Sequence, residues 1–125
     1  MIISIGVDII EVRRVRETIE RTPRFAERVF TAAERAYCDS RPNPPQHYAA
    51  RFAAKEAALK ALQTGWSGGI SWQDVEVSAK ESGAPLISFH GRARELYEES
   101  GATAVHISIA HTTEHAIAQV ILEKV

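Results

Sequence analysis

Cysteine is almost absent from this chain: Cys38 stands alone in 125 residues. That excludes an intrachain disulfide and leaves a small buried apolar residue or a nonessential thiol. Long apolar runs are missing too. Nothing approaches the ~18 residues that span a bilayer, and no basic start leads into an apolar stretch as in a signal peptide. A cytoplasmic protein with no membrane association is expected. Net charge is only −1, from 15 Lys and Arg against 16 Asp and Glu. General nucleic-acid binding is therefore not expected. The histidines show no zinc-ligand spacing. No Walker loop or dinucleotide fingerprint occurs, and Gly65-Trp66-Ser67-Gly68-Gly69 lacks the lysine of a P-loop. No serine sits in a nucleophile elbow. Any phosphate chemistry must rest on side chains and a metal.

What is present reads as one domain over residues 1–125. Isoleucine-rich residues 2–7 predict a buried strand. A helix is expected from Asp8 or Ile9 to about Glu20, with Ile9, Val12, Val15 and Ile19 on one face. Pro23 ends that pattern, and Arg24–Phe30 predicts a second short helix. Thr31-Ala32-Ala33-Glu34 is a capping-box sequence opening a third, to about Asp39. Ser40–Gln46, with three prolines, predicts a loop. The longest helix is expected from His47 to Thr64, ended by Gly65, and Gly65–Gly69 reads as a turn. Strands are expected at Val75–Ser78 and Leu86–Phe89, a helix at Gly91–Ser100, and strands at Ala104–Ala110 and His115–Leu122. Antiparallel hairpins in this order make the fold class α+β.

Three segments carry candidate chemistry. Asp8 stands at the end of the first strand, a good place to hold a cation. Asp8-Ile9-Ile10-Glu11 also fits a helix N-cap with a glutamate at the third helical position. On the long helix, Ala50, Ala53, Ala54, Ala57, Ala58 and Ala61 form a small-residue face that lets another element approach closely. Glu56 and Lys60 lie on the other side, near Phe52, one turn apart. They read either as a surface ion pair or as a metal-binding acid beside a phosphate-binding cation. His111 follows a strand whose Val105, Ile107 and Ile109 share one face; it is either a turn histidine or a phosphate donor. Between positions 13 and 28, six arginines face three acids. This is either a solvated mixed-charge helix or a surface for an acidic partner.

These segments resemble the small bacterial phosphopantetheinyl transferases, the holo-acyl-carrier-protein synthases. The resemblance runs through Gly6-Val7-Asp8-Ile9-Ile10-Glu11-Val12, then Arg24-Phe25-Ala26-Glu27-Arg28-Val29-Phe30-Thr31 with Glu34. It continues in Arg51-Phe52-Ala53-Ala54-Lys55-Glu56-Ala57 with Lys60, in Gly83-Ala84-Pro85, and in His106-Ile107-Ser108-Ile109-Ala110-His111-Thr112. It implies the family's α+β fold, an antiparallel sheet on a long helix, in a homotrimer with active sites between subunits. It also implies transfer of 4′-phosphopantetheine from coenzyme A to a serine of apo acyl carrier protein, leaving adenosine 3′,5′-bisphosphate. Magnesium would sit at Asp8 and Glu56, with Glu56 and Lys60 catalytic. Coenzyme A contacts are implied at Arg51, Gly83, Pro85, His111 and Thr112, and carrier docking at Arg13, Arg14, Arg21, Arg24 and Arg28. Two positions depart from the family pattern: Ala110, where serine or threonine is common, and Ala58, where phenylalanine is. A noncatalytic module binding an acidic partner, or a magnesium-dependent nucleotide phosphohydrolase, are the competing functions.

Overall fold

A computed structural model describes residues 1–65 and 68–125; Trp66 and Ser67, in the turn expected at Gly65–Gly69, lie outside the described residues. The elements follow the order β1 (Ile2–Glu11), α1 (Val12–Arg21), α2 (Phe25–Val29), α3 (Ala32–Asp39) and α4 (Pro44–Leu62). A 3-10 turn (Trp72–Asp74) then leads to β2 (Val75–Ala79), β3 (Pro85–Phe89), α5 (Gly91–Glu99), β4 (Ala104–His111) and β5 (His115–Glu123). Two antiparallel sheets form, a three-stranded one in the order β1-β5-β4 and the hairpin β2-β3. The α+β class expected from the sequence is the one observed.

The helix expected from Asp8 is not there. β1 runs four residues further, and Asp8, Ile9, Ile10 and Glu11 pair with Ala118, Ile117, Ala116 and His115. Asp8 is thus a strand residue, and its cap reading is wrong. α1 starts at Val12, preceded by Glu11, which makes no side-chain cap bond. The Val12 amide is satisfied instead by the carbonyl of Glu114, 2.8 Å away in the β4–β5 turn. Pairing with β5 supplies ladder bonds that outweigh the local capping preference. Ile9 consequently leaves the helical face and stands 64% exposed on the sheet.

The long helix begins earlier than expected. Pro44 and Pro45 are its first two residues, positions where a missing N–H costs nothing and a fixed φ is already helical. It also ends earlier, with Gln63 at φ 63° taking the left-handed position expected of Gly65. The capping box at Thr31 forms as read: Glu34 N donates to Thr31 Oγ1 at 3.2 Å and Thr31 N to Glu34 Oε1 at 2.8 Å.

The alanine face of α4 is buried throughout, and β1 lies directly on it. A Cβ added to Gly6 would stand 1.9 Å from the carbonyl oxygen of Ala57 and 2.7 Å from the amide of Ala61. Only glycine opposite alanine permits that approach, which fixes β1 against α4. The main core lies between α4, the three-stranded sheet and the hairpin, with Leu59, Val77, Phe89, Val120 and Leu122. A second cluster, with Val12, Val15, Phe30 and Tyr48, fills the space under α1–α3.

Candidate functional site

From Ser4 on, even-numbered residues of β1 point toward α4. Gly6 packs on Ala57 and Ala61. Two residues on, Asp8 meets Lys60, whose Nζ donates to Asp8 Oδ1 at 3.1 Å and to the Val7 carbonyl at 3.0 Å. Two further on, Ile10 lines a shallow pocket with Phe52. As β1 advances from Gly6 to Ile10, its contacts descend α4 from Ala61 to Phe52. Glu56 lies midway on that stretch, one turn from both Phe52 and Lys60. The acids foreseen from the sequence therefore flank Lys60 at one β1–α4 edge. Asp8 Oδ2 accepts no hydrogen bond among the described residues. The ion pair is partly exposed, at 55% and 19% for the two side chains, and is worth at most about 1 kcal/mol.

A second locus is a cleft of about 160 Å³ between α3, α4, the β2–β3 hairpin and the end of β4. Arg51, Gly83, Pro85 and His111 all line it. Arg51 is buried at 5% exposure, its guanidinium 3.9 Å above the Tyr37 ring. Its Nε has no hydrogen-bond partner, and no carboxylate pairs with it among the described residues. A buried guanidinium with an unused donor is costly unless a ligand completes it. Gly83 has φ 91° in the hairpin turn, with open space beside it, so a flat left-handed turn keeps the cleft mouth clear. Thr112 is the exception among the expected contacts. It lies beyond the cleft, and its Oγ1 accepts from the amides of Glu114 and His115 at 3.3 and 3.1 Å, closing the β4–β5 turn.

Sequence reasoning missed Tyr37 and His47 in this cleft. His47 lies one turn before Arg51, a spacing that places both on one side of α4. Its ring meets that of His111 edge-on, centroids 5.5 Å apart. Burial first, then the nearby His111, Arg41 and Arg51, hold its pKa below the usual histidine value. Arg13, Arg14, Arg21, Arg24 and Arg28 are all exposed. Glu17 pairs loosely with Arg13 at 3.5 Å and Arg21 at 3.7 Å. Arg14 borders the Ile10–Phe52 pocket, so the arginine surface adjoins the acidic edge.

Lys55, next to Glu56, faces inward and is fully buried with Glu34. Its Nζ lies 3.0 Å from Glu34 Oε1 and donates to the carbonyls of Trp72 and Val75. Glu34 Oε2 accepts from the Val77 amide at 2.7 Å. The capping acid read from the sequence thus also anchors α4 to β2. Burial lowers the Lys55 pKa, with Glu34 opposing the shift. Cys38 is buried, and burial pushes its thiol up to about 12, so it carries no thiolate. Among the described residues no three His, Cys, Asp or Glu side chains converge as a metal site. No helix among them is long and apolar enough to cross a membrane.

Residues 4–120 match the family model of the 4′-phosphopantetheinyl transferase superfamily. A holo-[acyl-carrier-protein] synthase of Koribacter versatilis is 46% identical over 124 residues, 98% of this chain and 99% of that protein. The crystal structure of holo-[acyl-carrier-protein] synthase from Neisseria meningitidis superposes with a TM-score of 0.88 at 32% identity, covering 99% of this chain and 100% of that one. That of a holo-(acyl-carrier-protein) synthase from Bacillus anthracis in complex with CoA (3′,5′-ADP) gives 0.83 at 35% identity, covering 100% and 99%. An acid pair around a lysine, an arginine-based cleft and similarity over the full length agree: this chain belongs to the 4′-phosphopantetheinyl transferase superfamily.

Proposed function

We propose that the chain transfers 4′-phosphopantetheine from coenzyme A to a serine of apo acyl carrier protein, as a cytoplasmic holo-[acyl-carrier-protein] synthase. The observation that carries this reading is the β1–α4 edge, where Asp8 meets Lys60 one turn from Glu56. Carboxylate oxygens are the donors magnesium takes, and it leaves its remaining positions to water and phosphate. Asp8 retains a free oxygen for it among the described residues, so the residues fit. Magnesium would be held by Asp8 and Glu56, and when bound it would offset charge on the pyrophosphate oxygens.

In the reaction, the serine oxygen bonds to the β-phosphorus of coenzyme A and the phosphoanhydride bond breaks. Adenosine 3′,5′-bisphosphate leaves with the bond's electron pair. Lys60, already turned toward this edge, neutralises charge on the transferred phosphate. The serine proton passes to Glu56 or to a water beside it. The exposed arginines of α1 and α2 hold the acidic carrier so that its serine meets the phosphorus in line. That attraction weakens with salt. The cleft with Arg51, Gly83, Pro85 and His111 takes the nucleotide end.

Geometry also supports a homotrimer with sites between subunits. Glu56 is five residues beyond Arg51, about 140° round the helix axis, so acid edge and cleft open on different sides of α4. A neighbouring copy would bring its cleft to this chain's acids. The outer face of the sheet offers the contact, with Ile5, Val7, Ile9 and Ile117 all exposed. A contiguous apolar patch of this kind marks an interaction surface. Ile9 and Ile117 also line one depression with His111 and Thr112, so that face leads to the cleft mouth.

The test is to incubate the protein with coenzyme A, magnesium and an apo carrier, and to weigh the carrier. A gain of one phosphopantetheine is expected, lost in Asp8→Ala and Glu56→Ala. Coenzyme A cleaved without a gain on the carrier would favour a hydrolase, and no change in either a binding module.

A further inference from the structure

His47 has no part in the reaction as described, yet it stands inside the nucleotide cleft. The groups around it are unusual in sign. Tyr37 of α3 approaches edge-on, ring centroids 5.9 Å apart. Arg41 reaches in from the α3–α4 connection, Arg51 lies one turn further along α4, and His111 faces it from β4. Among the described residues no carboxylate lines the cleft. The buried Nε of Arg51 has no hydrogen-bond partner among the described residues. Gln46 Nε2 donates to the Thr112 carbonyl at 3.4 Å, tying the start of α4 to the end of β4 and so His47 to His111.

Such a constellation is incomplete without an anion. Arg51 and His111 in the cleft wall, with Arg41 nearby, disfavour a further positive charge on His47. A phosphate entering the space supplies the opposite charge, and the imidazole whose pKa is held down by burial first and by its cationic neighbours second then gains a proton and a charge-assisted hydrogen bond. Arg51 cannot respond in this way, because a guanidinium is always protonated.

We propose that His47 is a ligand-recognition residue of this cleft, taking up a proton as a nucleotide phosphate enters and so coupling ligand binding to pH. The inference rests on the assignment of the cleft to the nucleotide end of coenzyme A. The direction follows from the field around the ring. Its empty-cleft pKa is lowered, chiefly by burial, and a bound phosphate raises it. Proton uptake therefore accompanies binding between those two values, and affinity rises as pH falls through that window. The phosphate's own second ionisation, near pH ~6, works the other way and is common to wild type and variants.

The test uses adenosine 3′,5′-bisphosphate as probe, with titration calorimetry at pH 6.5, 7.5 and 8.5 in buffers of different ionisation enthalpy. Wild type should take up a substantial fraction of a proton. His47→Gln should lose most of that uptake and about tenfold in affinity at pH 6.5, but about threefold or less at pH 8.5. His111→Gln should lower affinity. NMR titration of the His47 ring in wild type, with and without the probe, gives a direct second reading and needs no variant to fold. A His47 titration unmoved by the ligand, or equal uptake in wild type and His47→Gln, would overturn the proposal while leaving the cleft assignment standing. No binding of the probe to wild type would overturn both.

Discussion

Replacing Gly6 by alanine tests the link between packing and chemistry with one methyl group. The added carbon would lie 1.9 Å from the Ala57 carbonyl oxygen, where real contacts essentially never fall below 3.0 Å. β1 must therefore move off α4 by about 1 Å, since both obstructing atoms, Ala57 O and Ala61 N, are backbone and cannot rotate away. Overpacking of this kind costs about 3 kcal/mol when the neighbours cannot yield. With an unfolding entropy of about 0.26 kcal/mol/K for a chain this long, Tm should fall by about 10 °C. The same movement would pull Asp8, two residues along the strand, from Lys60, now 3.1 Å away. A misplacement of about 1 Å costs on the order of 100-fold in rate when geometry is what the site supplies. Differential scanning calorimetry and the carrier-mass assay, run well below the lowered Tm, measure the two effects separately. A Gly6→Ala protein with wild-type Tm and wild-type kcat/KM would refute the claim that this contact sets the site.

Lys55→Met should cost about 3–5 kcal/mol in denaturant unfolding, because it leaves the Glu34 carboxylate buried without its cation. Adding Glu34→Gln should recover part of the loss, and simple additivity of the two changes would mean the pair is not coupled. Ile9→Glu places a charge in the middle of the exposed apolar face; if that face joins the proposed homotrimer, sedimentation should show dissociation with the far-ultraviolet spectrum kept, and an unchanged oligomer would remove that face as the contact.

The sequence by itself determined the elements whose signals are local. The capping box at Thr31–Glu34 depends on residues three apart and forms as read. The alanine face of α4 follows from helical periodicity, and it is buried as that pattern requires. The β2–β3 and β4–β5 hairpins lie between their own turn residues, with ends within a residue or two of those expected. Glu56 and Lys60 share a face for the same local reason. What lay beyond the sequence depends on partners far along the chain. Asp8 reads as a helix cap or as a cation-holding acid at the end of a strand until β5, more than a hundred residues later, pairs with it. The second role of Glu34 needed β2 and Lys55 beside it. His47 gave no local signal, because its meaning comes from Arg51, Tyr37 and His111 converging from three elements. Periodicity and capping are properties of neighbouring residues. Which acid meets which cation, and which histidine faces a ligand, is settled only when the sheet closes on the helix.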